Sequence, residues 1–116
     1  MSFLEQLFQV LDGVIPNRVT YGTNIVGVDD HHVYPFIVYQ EIGDRIQSYA
    51  DNKPAVRIVT YQITLVTESK DPTTEEGLET SLYQSGFNFQ MITEYVNDDN
   101  SVNRVYEIKQ EEIRYE

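Results

Sequence analysis

Apolar residues in the first twelve positions recur at spacings of three and four: Phe3, Leu4, Leu7, Phe8 and Leu11. On a 3.6-residue repeat they fall on one stripe, with Glu5, Gln6 and Gln9 away from it, which predicts an amphipathic helix from Ser2 to Leu11 or Asp12. Ser2 is placed to cap the free amides, and Gly13 with Pro16 supplies a stop. An aromatic-rich stripe of this kind is expected to cover a sheet. The helix holds no Lys or Arg to draw it to an anionic bilayer.

Period is then lost from Gly13 to Tyr34, a stretch longer than the ~12 to 15 residues usual for a structureless connection. Either Arg18 to Val28 holds a short strand, suggested by Val19, Tyr21, Ile25 and Val26, or the loop binds something; some of both is expected. Alternation then sets in. Phe36 to Ile42 reads as a strand with Phe36, Val38, Gln40 and Ile42 on one side and Ile37, Tyr39 and Glu41 on the other. Pro35 holds Tyr34 towards extended backbone and suits a strand start. After a polar segment from Gly43 to Pro54, Ala55 to Thr67 is the longest predicted strand. Its Val59, Tyr61, Ile63 and Leu65 alternate with Thr60, Gln62, Thr64 and Val66, while Ile58-Val59 breaks the alternation, through a bulge or burial on both sides.

A second helix begins at Asp71 or Thr73. Asp71-Pro72 matches a cap followed by proline at the first helical position, whereas Thr73 with Glu76 matches a capping box. Leu78 and Leu82 mark its packed side, Glu75, Glu76 and Glu79 favour its positive end, and Gly86 ends it. Phe87 to Val96 and Val102 to Glu111 then form a hairpin about the Asn97-Asp98-Asp99-Asn100-Ser101 turn, with Arg104, Tyr106, Ile108 and Gln110 sharing a face opposite Val105, Glu107 and Lys109. Residues 111–116 read as an edge, a frayed end or an arm laid on a neighbour.

The pattern predicts one compact α+β domain over residues 1–116, with a long loop at 13–34: a mainly antiparallel sheet of four strands or slightly more, covered on one face by two helices. The other face is left to a partner, and Tyr39, Gln62, Thr64, Val66 and Val105 are its expected members.

Composition narrows what such a domain does. With 41% hydrophobic and 12% aromatic residues the chain can fill a core, and no apolar run reaches the ~20 residues of a membrane helix. No secretion signal is read at the amino end, and the absence of cysteine removes disulfides, thiolate nucleophiles and thiolate metal sites. Eight Lys and Arg against nineteen Asp and Glu give a net charge of −11, which disfavours generic binding to a phosphate backbone.

Candidate chemistry is sparse. Asp29, Asp30, His31 and His32 are the densest potential metal ligands, but neighbours on an extended backbone point to opposite sides and there is no third histidine, so a solvated, mildly pH-sensitive loop is the simpler reading. The acidic pairs Asp98-Asp99 and Glu75-Glu76 have structural reasons in a turn and a helix start. Phosphate-cradling glycine motifs, serine nucleophile elbows and zinc-peptidase motifs are missing. The chain is expected not to be an enzyme and to need no cofactor.

The run Val33-Tyr34-Pro35-Phe36-Ile37-Val38-Tyr39-Gln40, after an amino-terminal amphipathic helix, resembles the Tyr-Pro-hydrophobic strand start of tail completion proteins of long-tailed bacteriophages and prophages, the tail terminator or head-to-tail joining group. The order of long strand, helix and terminal hairpin is similar to theirs as well. The resemblance implies a structural protein that self-associates into a ring, usually hexameric, contacts the tail-tube and head-connector proteins, and sits at the virion tail or head-tail junction after assembly in the bacterial cytoplasm. Tyr34, Pro35 and Phe36 would then shape the fold. Arg18, Tyr21, Asn24, Arg45, Tyr49 and Tyr106 are the candidate interface residues, because Arg and Tyr combine contact area with directed hydrogen bonds. An acidic ring lumen would let DNA pass without sticking. The rival expectations are a small adaptor that binds a partner through an exposed sheet edge, and a metal-dependent enzyme built on His31 and His32.

Overall fold

The computed structural model describes residues 3–22, 34–47 and 55–114. Helix α1 spans Phe3–Val14, and Leu7 and Leu11 on its apolar stripe are fully buried. It overruns the expected end because Gly13 stays helical. The chain turns instead at Pro16 and Asn17, where Asn17 takes a left-handed φ of 66° and its amide donates to Asp12 Oδ1 at 3.0 Å.

Strand β1 (Val19–Tyr21) is the short strand expected within the long loop, but it runs parallel to β2 (Phe36–Gln47), pairing Val19 with Ile37 and Tyr21 with Tyr39. The sheet is therefore mixed. Its five strands lie in the order β1-β2-β3-β5-β4, where β3 is Ala55–Thr67, β4 is Phe89–Val96 and β5 is Val102–Arg114. The other neighbours are antiparallel.

Two boundaries move outward for one reason. The polar segment predicted after Ile42 is strand as far as Gln47, and Glu111 to Arg114 of the expected tail pair with Ala55 to Ile58. Conversely, β4 begins at Phe89 rather than Phe87. Strand pairing satisfies backbone amides and carbonyls whatever the side chains, so a long partner extends polar neighbours that alternation alone would leave out. The irregularity suspected at Ile58-Val59 lies across the ladder: β3 pairs with β5 without interruption, and the extra residue is in β2 between Glu41 and Gly43.

Helix α2 spans Pro72–Gln84, which decides between its two possible starts. Asp71 is the cap, accepting from the Thr74 amide at 3.2 Å and the Thr74 hydroxyl at 2.6 Å, with Pro72 at the start of the helix. It ends at Gly86, whose φ of +85° lets the Phe87 amide reach back to the Leu82 carbonyl at 3.0 Å.

Both helices lie on one face. Leu7 and Leu11 from the first, Ile15 just after it, and Leu78 and Leu82 from the second pack with Ile37, Tyr39, Ile63, Leu65, Tyr106 and Ile108 from the sheet. Burial of each large apolar side chain stabilises the fold by about 1.5 to 3 kcal/mol. Two sequence expectations are corrected here. Tyr39 lies on the helix-covered side, opposite Ile63, and Tyr106 is fully buried in the core.

Candidate interaction surface

The surface is built on a rigid underside. Arg104 in β5 has the same parity as Tyr106 and Ile108, so it points towards the helices, where a cation needs partners. It finds them on two elements: Glu79 of α2, with Arg104 Nη2 at 3.0 Å from Oε2, and Glu94 of β4, with Nη1 at 2.8 Å from Oε1. The Tyr106 hydroxyl donates to the same Glu79 Oε2 at 2.7 Å. Lys70, just before α2, bridges Glu75 and Glu94 at 2.8 Å each. The cluster ties α2 to the β4-β5 pair.

Its protonation equilibria follow. Burial lowers the Arg104 pKa, but hydrogen bonds to Glu94, Tyr106 and Glu79 outweigh it, and the guanidinium is held above its usual range. Burial, reinforced by the Glu79 carboxylate, raises the Tyr106 phenol. Hydrogen bonds from Lys70 and Arg104 hold the Glu94 carboxyl below the usual carboxylate range.

A second set of contacts fixes the end of the sheet. The Tyr34-Pro35 peptide is cis, and the Tyr34 and Phe36 rings stack at 5.7 Å. The Tyr34 hydroxyl donates to Asp99 Oδ2 at 3.1 Å in the β4-β5 turn, and Arg18 Nη1 donates to the Tyr34 carbonyl at 3.1 Å. Asp99 in turn accepts from the Ser101 hydroxyl at 2.6 Å and the Ser101 amide at 3.0 Å, which hold its carboxyl below the usual range.

The opposite face of the sheet carries no helix among the described residues. The register places Val38, Gln62, Thr64, Val105, Asn103 and Tyr95 on it, so four of the five residues expected there (all but Tyr39) are in place. Val66 and Val105 are buried by their neighbours, and the remainder is a mixed surface of hydroxyls, amides and aliphatic groups. β4 borders this face as one of the two outer strands; of its exposed residues Tyr95 shares the open face, Ile92 is the extra residue of a bulge, and Met91 and Val96, paired with Tyr106 and Val102, have the opposite parity.

The sequence-nominated residues scatter. Arg18, just before β1, and Tyr21, its last residue, are exposed, and the Tyr21 ring meets Tyr39 edge-on at 5.0 Å. Arg45 lies in β2 paired with Ile58. Tyr106 offers no surface to a neighbour. Phe36 is the first residue of β2, with Tyr34 and Pro35 immediately before it. Asn24, Tyr49 and the Asp29 to His32 cluster lie outside the described residues. Among the described residues, no group of three His, Cys, Asp or Glu side chains is arranged to hold a metal ion. Sequence reasoning passed over Glu79 and Glu94; the available signal was Arg104 on the buried parity of β5, which requires carboxylates on whatever packs against it.

No protein-family model matches the chain, and no curated protein sequence does. Among solved structures, a chain of the virion of a native gene transfer agent particle is similar in fold, with a TM-score of 0.52 over 94% of this chain and 91% of that one. Sequence identity is 10%, so the similarity is one of fold.

Proposed function

We propose that this chain is a virion structural protein of a phage-like particle, one that completes or caps the tail and contributes to the head-tail junction as a ring. The observation that carries the reading is the fold shared with a chain of a gene transfer agent virion along nearly the full length of both. The Tyr34-Pro35 strand start and the order of elements agree with it. A sheet whose second face lacks a helix among the described residues gives such a subunit something to hold with.

In this reading the tail-tube protein and the head connector are the partners, and no catalysis or cofactor is involved. The charge of −11 keeps the ring from gripping DNA that passes through it. Electron cryomicroscopy of particles assembled with this chain tests the proposal: density for the chain is expected as a closed ring between tail and head. Particles that lack the chain, or that carry it elsewhere, would sink the junction role. A ring with a basic lumen would remove only the acidic-channel element.

The adaptor reading has one observation in its favour, the exposed outer strand β4. It predicts a single captured partner in place of a closed ring.

A further inference from the structure

The distribution of charge and of exposed apolar groups singles out one region. Acidic side chains lie on α2, where Glu75 and Glu79 are paired with Lys70 and Arg104 and Glu76 is exposed without an ion pair among the described residues, and in the turn before β5 (Asp98 and Asp99). The zone around β4 is different. The one charged residue on that strand is Glu94, and its carboxylate is paired with Lys70 and Arg104, each at 2.8 Å, two cations that it shares with Glu75 and Glu79. On the open face of the adjacent β5, Glu107 and Lys109 lie 3.7 Å apart and offset each other. Here Met91, Ile92, Tyr95 and Val96 are 43 to 65% exposed on an outer strand with neither Lys nor Pro, the residues that commonly blunt such edges.

We infer that β4, with the open face beside it, is where a second copy of this chain is held. The inference rests on the assembly reading above and names the contact it requires. Two chains of charge −11 repel each other over most of their surfaces, so they approach most readily where no unpaired acid faces the neighbour. A basic partner would be drawn instead to Glu76 on α2 and to the acidic turn. A largely apolar strip without an unpaired acid, whose outer edge pairs with no strand among the described residues, suits a neighbour that is itself acidic elsewhere, and a second copy meets that condition. The bulge between Met91 and Thr93 interrupts the edge, which keeps the contact short and disfavours open-ended stacking.

The test uses the full chain and the charge that the argument turns on. Native mass spectrometry from micromolar to millimolar concentration is expected to show self-association. Ile92→Glu, which places an unpaired acid on the strip, should weaken it at least tenfold, with the loss eased by added salt, while Ile92→Gln loses far less. A benzophenone side chain in place of Ile92 should cross-link one copy to another on illumination. Oligomers unchanged by Ile92→Glu and without that cross-link would overturn the β4 contact while leaving the ring reading intact, since copies would then meet elsewhere. A chain that stays monomeric at millimolar concentration would also overturn it, and the ring reading would still face its own test in the particle. Should Ile92→Glu unfold, shown by loss of circular dichroism, the cross-link decides alone.

Discussion

The helix-covered half of the sheet and the half bounded by β4 are made from the same strands yet are stabilised in different ways. On the covered side Ile37, Ile63, Leu65 and Ile108 meet Leu7, Leu11, Leu78 and Leu82, and Arg104 is paired on two elements. Along β4, the apolar side chains Met91, Ile92 and Val96 remain exposed, and the one carboxylate is held from the covered side. The contrast separates groups that stabilise the fold from groups free to contact another molecule. Substitutions in the first class should reduce stability; those in the second should reduce assembly.

The severest test is in the core. Ile63→Ala removes a fully buried side chain at the centre of the sheet and is expected to cost about 2 to 5 kcal/mol, read from urea unfolding midpoints. A smaller loss would mean that the helices do not pack there. Arg104→Met next tests the polar anchor. Because Glu79 and Glu94 lose their shared cation and the Arg104 side chain is 18% exposed, a cost of about 2 to 3 kcal/mol is expected, somewhat below that of a fully buried pair. Asp71→Ala should cost about 1 kcal/mol by releasing the first turn of α2, and Asp71→Asn should restore most of it.

Acid acts on the same anchors. Glu94, Asp71 and Asp99 all have folded pKa values below their ordinary ones of 4.5, 3.8 and 3.8. Their contribution is therefore complete above those values and is lost as pH falls through the lower folded ones. Thermal melts should be flat down to about pH 5 and decline below it, and Arg104→Met should flatten the decline that Glu94 contributes. The smallest effect belongs to β4. Ile92→Gln should change stability by no more than about 0.5 kcal/mol, because its side chain at the bulge is exposed and Gln leaves the backbone unchanged. A large loss of stability there would erase the distinction between the two regions.

Much of this could be read from residue order. The stripe of Leu7 and Leu11, the alternation of Val59 to Leu65, the Asn97 to Ser101 turn and the parity of Tyr106 with Arg104 are local patterns, and the elements they predict are present. Tyr106 shows the limit of that reading. Its type favours an interface and its parity favours the core, and the carboxylate of Glu79, brought from α2, together with Arg104 Nε, each 2.7 Å from the hydroxyl, makes a buried phenol acceptable.

What the sequence determined by itself is the set of elements, because helix and strand periods, caps and turn residues act over a few positions. The α+β class and the single covered face followed from them. Only the tertiary structure decided that β1 lies parallel to β2, that β2 and β5 run on through polar residues, and that Lys70, Glu75, Glu79, Glu94 and Arg104 converge. These features depend on which segments become neighbours. Backbone pairing and charge neutralisation are satisfied by partners distant in sequence, and no local pattern specifies them.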